Sequence, residues 1–255
     1  KSEVVERMGE VLLEAGITEV TVLRNARVPV VKFVHPATST KCDVTVNNRL
    51  ACVNTKLLRD YAAIDPRMRQ LVYIVKFWAK RRQVNEAYRG TLSSYCYVLM
   101  CIHLLQQRSP PVLPCLQAIE PPTFKCTVGN YCCDYCDDLP SLAGYGQRNT
   151  ESLGELVWAF FEYWAWRHDY NKSVISIRTG GFLSKAEKEW TKRVGSERHL
   201  ICIEDPFEVT HDLGRVVDKA SITELRKEFE RAARILRGQS SPLQKLFEEY
   251  SSNGG

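Results

Sequence analysis

The side chains best suited to chemistry begin with Asp43, which lies in a short alternating segment. Apolar residues at 42, 44 and 46 alternate with polar residues at 43, 45 and 47, as in a strand with one apolar face. Asp43 therefore projects from the polar face. A carboxylate in that position suits a hard cation such as Mg²⁺, which prefers oxygen ligands. From this segment alone, an exposed carboxylate without a ligand is the favoured interpretation, and the metal ligand is the alternative.

Two polar residues follow Asp43 at what we predict to be a turn from strand to helix. Asn54 and Thr55 carry an amide and a hydroxyl that can exchange hydrogen bonds with a sugar or a base. The alternative is a helix N-cap without a ligand.

A pair of lysines lies on a helix that we predict to begin at Asp65-Pro66 and to run to Arg82. Lys76 and Lys80 are four residues apart and therefore share a helix face. Two ammonium groups on one face favour an anion between them. A solvated basic helix end over residues 80–82 explains the pattern equally well.

The segment 90–95 is predicted to open the next helix, which continues to about residue 105. Free backbone amides at a helix start attract phosphate, so Ser94 is a candidate phosphate contact. Tyr95 in the first turn could stack on a base.

Another group of polar residues lies where an apolar strand, 200–203, ends in a loop. Asp205, Glu208 and His211 follow at three-residue steps. Acidic side chains accept hydrogen bonds from a base edge or from water bound to it. A metal site is the less favoured alternative because the loop spacing is irregular.

The elements that must position these residues change in kind near residue 65. Before it we predict a helix over 2–14 and three antiparallel strands over 18–24, 28–34 and 41–46. This block is too small for a complete domain and reads as the second half of one.

After residue 65 the pattern is mainly helical. The connection 109–148 has no assigned structure, and the aromatic stripe of helix 151–168 is typical of a core. A strand is predicted over 174–177, a basic helix over 185–193, and a long helix from Ser221 with Glu224 completing its capping box.

Composition sets wide bounds. The chain has 255 residues, 44% of them hydrophobic, and a net charge of +5, which is compatible with a polyanionic partner without requiring one. No apolar run is long enough for a membrane span. Of the 10 cysteines, a group at 126, 132, 133 and 136 contains a CxxC. Free thiols are favoured there, and zinc stays open as the alternative.

Together, four motifs resemble the template-independent RNA nucleotidyltransferases, and within these the terminal uridylyltransferases, most closely the plant cytoplasmic type that tails deadenylated mRNA. They are residues 42–58, Val75-Lys76-Phe77-Trp78-Ala79-Lys80, Gly90-Thr91-Leu92-Ser93-Ser94-Tyr95, and Ile203-Glu204-Asp205-Pro206-Phe207-Glu208 continued to Gly214. Their order and spacing are specific, and the resemblance covers nearly the whole chain.

The resemblance implies an α+β, bilobal fold of the DNA polymerase β nucleotidyltransferase type. Residues 1–58 would be the C-terminal half of the catalytic α/β lobe. Residues 59–250 would form a mostly helical, nucleotide-recognising poly(A)-polymerase-associated lobe, with the nucleotide in the cleft. Residues 251–255 are expected to be a disordered tail.

The resemblance also implies roles for individual residues. Asp43 matches the third of three carboxylates that bind two Mg²⁺ ions, with Mn²⁺ as the alternative metal. Asn54 and Thr55 match contacts to the ribose and the uracil edge, and Lys76, Lys80 and Ser94 match contacts to the triphosphate. Tyr95 matches the aromatic ring that stacks on the uracil face, and Asp205 and Glu208 match the acidic pair that binds the uracil edge through water. His211 matches the residue that excludes adenine.

The implied function is transfer of UMP from UTP to the 3′-OH of single-stranded RNA, in a cytoplasmic, monomeric enzyme without a membrane partner. Contacts to mRNA-decay factors are expected outside these residues. Arg215 is the favoured RNA contact. Arg27, Arg81 and Arg82 are also candidates, but an ordinary solvated charge is favoured for each of them. A catalytically silent nucleotide- or RNA-binding module and a poly(A) polymerase are the alternatives.

In the family, a Gly-Ser motif and an Asp-x-Asp motif precede these strands, and neither motif stands ahead of the strands in this sequence. One carboxylate cannot hold two metal ions about 4 Å apart. The polypeptide as printed is therefore expected to be inactive alone, and the missing motifs are expected upstream.

Overall fold

The structure, a computed structural model, describes residues 1–26, 28–238 and 242–251. Arg27 and residues 252–255 of the predicted tail lie outside the described residues. Two compact units divide the chain, Lys1–Lys56 and Leu57–Gly255. The predicted α+β class is confirmed.

The helices are α1 Ser2–Glu14, α2 Arg49–Ile64, α3 Pro66–Arg81, α4 Ser94–Gln106, α5 Leu153–Glu162, α6 Lys219–Gly238 and α7 Pro242–Leu246. The strands are β1 Val20–Leu23, β2 Val30–His35, β3 Thr40–Thr45, β4 Thr127–Val128, β5 Tyr131–Cys132, β6 Ser173–Ser176, β7 Gly181–Ser184 and β8 Cys202–Ile203.

The first unit is an antiparallel sheet in the order β1-β2-β3 with α1 packed against it. The three antiparallel strands predicted from the sequence are confirmed. Gly9 of α1 lies so close to the sheet that a Cβ there would overlap the Val22 side chain. Lys32 pairs with Asp43 in the β2–β3 register, so both side chains stand on the same face of the sheet.

The second unit has an aromatic core where α3, α5 and α6 meet. Trp78 contacts Phe161 with ring centroids 4.7 Å apart and Phe229 at 5.4 Å. The prediction that the aromatic stripe of the fifth helix is core holds for Phe161 and Trp164, which are buried. The helix itself changes to a π-helical turn over Tyr163–Arg167.

A buried ion pair joins α3 to α6 in this core. The guanidinium of Arg82 donates two hydrogen bonds of 2.8 Å to the carboxylate of Glu228. Arg82 is therefore a buried core residue and not the ordinary solvated charge that the sequence favoured. Arg81 also has partners of its own, the Phe247 carbonyl and the Glu249 carboxylate.

Two helix predictions need correction. Residues 185–189 form turns and residues 190–193 have no regular structure, because the Lys185 ammonium is buried and donates to the carbonyls of Tyr170 and His199. The long helix α6 begins before Ser221, since the Asp218 carboxylate accepts from the Ser221 amide and caps it. The unassigned connection 109–148 contains the β4–β5 hairpin and three 3₁₀ turns.

A three-stranded sheet in the order β7-β6-β8 lies in the second unit, with β6 parallel to β8 and antiparallel to β7. It matters for the site because β8 ends directly before the loop that carries Asp205. In the described part of the chain, no helix combines the length and apolar character that a membrane crossing requires.

Candidate functional site

At the start of α4, side chains form hydrogen bonds with the helix and with the backbone just before it. Ser93 caps the helix by accepting from the Cys96 amide at 3.3 Å. Asn85 donates to the Leu92 carbonyl and accepts from the Ser94 hydroxyl at 2.9 Å. The predicted helix start is confirmed, and Ser94 occupies its first position, where backbone amides lack partners within the helix.

Tyr95 and Asp205, which are 110 residues apart in sequence, are brought together by the fold. Burial, followed by the nearby charge of Asp205, raises the pKa of the Tyr95 hydroxyl. That hydroxyl is buried without a well-aligned hydrogen bond to any described residue. A buried polar atom of this kind is completed by water or a ligand in most proteins.

The loop after β8 is folded tightly around Asp205. Its buried carboxylate accepts from the amides of Phe207 and Glu208 at 3.0 and 2.9 Å. The His211 carbonyl accepts from the Asp205 amide, and the His211 amide donates to the Glu208 carbonyl. Asp205, Glu208 and His211 therefore form one compact turn, and Tyr95 lies beside it.

Lys76 and Lys80 share a face of α3, as predicted. They line a cavity of about 980 Å³ whose other lining residues include Arg69, Tyr73 and Phe77. Ser94, Tyr95 and the 205–211 loop are not among its lining residues. The structure thus brings the residues assigned to the base together, and it places the two lysines together in a cavity that the base-assigned residues do not line.

Asp43 stands on the polar face of β3, in agreement with the predicted alternation. Its exposed carboxylate accepts from the Lys32 ammonium at 2.6 Å, the one charged partner it has among the described residues. An accessible carboxylate is the hard donor that Mg²⁺ requires, so this residue fits the metal. Because the carboxylate has a cationic neighbour, a bound metal and Lys32 would compete for it.

Asn54 and Thr55 are not at a turn, and that prediction is wrong. Both lie inside α2, where the Thr55 hydroxyl donates to the Ala51 carbonyl one turn earlier at 2.8 Å. The Asn54 amide oxygen is buried and has no hydrogen-bond partner among the described residues. The assignment of Asn54 to the nucleotide stays a prediction.

Two places in the sequence left a metal site open as the alternative. Among the described residues, the one set of three potential ligands within 4.8 Å of one another is His199, Cys202 and Asp212. Asp205, Glu208 and His211 are not such a set, and neither are the cysteines between 126 and 136. In the buried set, the His199 ring already bonds the Asp212 carboxylate at 2.7 Å.

Comparison with known proteins gives these residues a context. The family model described as the central palm domain of mitochondrial-like poly(A) RNA polymerase matches residues 1–63, and the Cid1 family poly(A) polymerase model matches residues 152–211. A solved structure of the Cid1 poly(U) polymerase with Mg and 3′-dATP is 37% identical, with a TM-score of 0.86 over 98% of this chain and 77% of that one.

The chain belongs to the Cid1 family of RNA nucleotidyltransferases. This confirms the resemblance to the terminal uridylyltransferases and the polymerase β-like fold that it implied. The likeness to the plant cytoplasmic type stays a prediction. The terminal uridylyltransferase Cid1 of Schizosaccharomyces pombe is 38% identical across 89% of the chain, and human terminal uridylyltransferase 7 is 36% identical across 91%. The chain spans 60% of the length of the first of these relatives and 16% of the second.

The Cid1-family loop has supports that sequence reasoning missed. Glu204, buried at the end of β8, accepts from Ser176, Arg178 and Lys188 at 2.7, 3.0 and 2.8 Å. Burial disfavours its charged form, but these three hydrogen bonds outweigh burial and lower the Glu204 pKa. Lys188 also donates to the Val209 carbonyl and so ties the loop to Glu204.

One sequence signal could have indicated Glu204. It extends the apolar strand, and a carboxylate at such a position must be paired if it is buried. Lys188 carries no comparable signal, because basic residues are common in segments like 185–193.

Gly214, the last residue of the loop motif, permits the close return of the backbone to β8. A Cβ at this position would overlap the backbone carbonyl of Ile201, which cannot move like a flexible side chain. We expect Gly214→Ala to destabilise the protein by about 1–3 kcal/mol, the usual cost of overpacking. Urea unfolding would measure this, with Gly181→Ala as control because its Cβ would meet no atom within 4 Å. Equal stability of the two variants would contradict the predicted overlap.

Proposed function

We propose that this chain is the nucleotide-recognising part of an enzyme that transfers UMP from UTP to the 3′-OH of single-stranded RNA. The observation that carries the proposal is the approach of Tyr95 to the Asp205 turn, with a buried tyrosine hydroxyl lacking a well-aligned partner. An aromatic ring next to a set of fixed acceptors suits a planar base with donors on its edge.

Base choice would come from the compact turn. Asp205 is fixed by two backbone amides, so its carboxylate offers acceptors in one orientation to the N–H edge of uracil or to a bridging water. Glu208 would complete the acceptor pair. The half-buried His211 would limit the space available for a larger purine.

Separate groups would stabilise the negative charges on the phosphates and on the RNA 3′-oxygen. Asp43 would hold Mg²⁺, which when bound stabilises charge on the phosphates and favours ionisation of the RNA 3′-OH. Lys76 and Lys80 have no ion pair with a described residue, so both ammonium groups are available to the departing pyrophosphate. The amides at the start of α4, with Ser94, would bind a phosphate oxygen.

The direct test is extension of a labelled oligo(A) by the intact enzyme with each of the four nucleoside triphosphates. We expect UTP to be preferred. Equal use of all four would contradict the proposed recognition by the Tyr95–Asp205 pair.

His211 gives a prediction for specificity. We expect His211→Ala to raise the kcat/KM for ATP relative to UTP by about 10- to 200-fold, the range available to steric discrimination. Thr210→Ala, at an exposed neighbouring position, is the matched control. Measurement of both kcat/KM values decides the point, and an unchanged UTP:ATP ratio in the His211 variant rules out the role.

Poly(A) synthesis is the second candidate. It is favoured by relatives named poly(A) RNA polymerase cid13 and cid11 in Schizosaccharomyces pombe, which are 36% and 35% identical. A wild-type preference for ATP in the same extension assay would select it. The Tyr95–Asp205 pair and the turn would then bind adenine instead of uracil.

Further features follow from the family and belong to the proposal. The metal would be Mg²⁺ rather than Mn²⁺, Arg215 would contact RNA from an exposed position, and the enzyme would act as a cytoplasmic monomer on deadenylated mRNA. Protein partners would be mRNA-decay factors. Residues 1–58 would belong to the catalytic domain and residues 59–250 to the recognition domain.

A further inference from the structure

The outer face of α3 is unusually basic. The helix sequence contains Arg67, Arg69, Lys76, Lys80 and Arg81 and no acidic residue. Two of the five cations are neutralised locally, Arg67 by Asp65 and Arg81 by Glu249. No ion pair to a described residue involves the other three.

Two aromatic rings are exposed on the same face. The side chain of Tyr73 is 72% exposed and that of Phe77 40%. The two rings are parallel within 5°, with centroids 6.3 Å apart. Phe77 also packs edge-on against Phe247, with ring centroids 5.0 Å apart, and it is less exposed than Tyr73, so the Tyr73 ring is the more accessible end of the stack.

The rings and the unpaired cations line one cavity of about 980 Å³. Its lining includes Arg69, Tyr73 and Phe77 together with the two lysines, and no lining residue is acidic. A basic groove with exposed rings is the arrangement that binds single-stranded nucleic acid, since bases stack on the rings while cations meet the phosphates. A protein helix carrying basic residues would be repelled there.

We propose that Arg69, Tyr73 and Phe77, here called the α3 platform, bind a segment of single-stranded RNA. A base stacks on the open face of Tyr73, Phe77 supports that ring from behind, and Arg69 contacts a phosphate. The platform rests on the proposed function and deepens it, because it gives the RNA substrate a site on α3 apart from the Tyr95–Asp205 pair assigned to the base of UTP. Lys76 and Lys80 line the same cavity but stay assigned to the pyrophosphate, so Arg69 is the phosphate contact of the platform.

The test measures RNA binding without any nucleoside triphosphate, so it does not depend on whether UTP or ATP is the substrate. The probe is a fluorescein-labelled oligo(A) of about 16 nucleotides, the upper end of a typical site size, followed by fluorescence anisotropy. We expect Tyr73→Ala to weaken binding by about 5- to 150-fold, the loss of one stacked base. Tyr73→Trp is expected to retain wild-type affinity.

Tyr88→Ala is the matched control for the aromatic variant. Tyr88 is 81% exposed and, like Tyr73, lies on a helical segment with an arginine nearby, Arg89, whose guanidinium is 5.5 Å from its ring centroid. Both variants remove a solvent-exposed ring, so the thermal midpoint should match wild type in each. If Tyr73→Ala binds RNA within twofold of Tyr88→Ala, the proposal is overturned.

Arg69 gives an independent measurement. We expect Arg69→Gln to reduce the slope of log K against log salt by about 0.7, one phosphate contact to a single strand, whereas Tyr73→Ala leaves the slope unchanged. Arg237→Gln, at an exposed position on α6, is the control. An unchanged slope for Arg69→Gln, or a raised KM for UTP with unaltered RNA affinity in Tyr73→Ala, would show that this face does not bind RNA.

Discussion

Asp43→Ala is expected to abolish nucleotide transfer by the intact enzyme while leaving the fold unchanged. A metal-bound carboxylate contributes several kcal/mol of transition-state stabilisation, so the rate should fall by at least about a hundredfold. The loss in stability should be below about 1 kcal/mol, because the side chain is exposed and its ion pair with Lys32 is a surface pair.

Single-turnover extension of oligo(A) with UTP measures the effect of Asp43→Ala, and thermal unfolding checks the fold. Glu19→Ala is the matched control, since Glu19 is an exposed acidic residue beside β1 of the same sheet. Metal titration adds a second readout: the variant should need more Mg²⁺ for any residual activity. A rate near wild type would eliminate Asp43 as a metal ligand.

Asp212→Ala is expected to have the largest effect on stability. The buried Asp212 carboxylate accepts from the amides of Ile203 and Gly214 at 3.0 and 2.8 Å and bonds the His199 ring at 2.7 Å. Removing this carboxylate leaves its buried hydrogen-bond donors without partners. Loss of one charged partner from a buried pair lowers the free energy of unfolding by about 3–5 kcal/mol.

Because Asp212 closes the turn that carries Asp205, the loss should extend from stability to nucleotide binding. Urea denaturation measures the change in the free energy of unfolding, and the KM for UTP measures the change in nucleotide binding. Asp138→Ala, at an exposed position, is the control. Asp212→Asn should recover part of the stability, since its amide oxygen can still accept from the backbone. A loss below about 1 kcal/mol for Asp212→Ala would show that these hydrogen bonds do not hold the turn.

Local rules explain which predictions from sequence succeed. The strand carrying Asp43 was predicted because polar and apolar residues alternate with period two, and the start of α3 because Asp65-Pro66 has the required cap geometry. The prediction failed at Asn54 because the helix start was placed too late: Asn48, a favoured N-cap residue type, directly precedes the first residue of α2. The local rules fail at 185–193, where distant carbonyls bind the Lys185 ammonium and override helical propensity.

Long-range contacts account for what could not be predicted at the site. Nothing in the local sequence indicates that Glu204 accepts hydrogen bonds from Ser176, Arg178 and Lys188. Nor does it indicate that a buried tyrosine hydroxyl lies beside Asp205. The exposed Tyr73–Phe77 stack was likewise hidden, because an aromatic residue on a helix is more often part of the core.

The sequence by itself determined the family, the candidate residues and the order of the elements, since these depend on residue type and on spacing along one strand or helix. Only the tertiary structure decided which candidates meet. It placed Tyr95 against the Asp205 turn, buried Arg82 against Glu228 and left the α3 platform exposed. The physical reason is that hydrogen bonds and packing between distant segments depend on three-dimensional distance, which local periodicity does not encode.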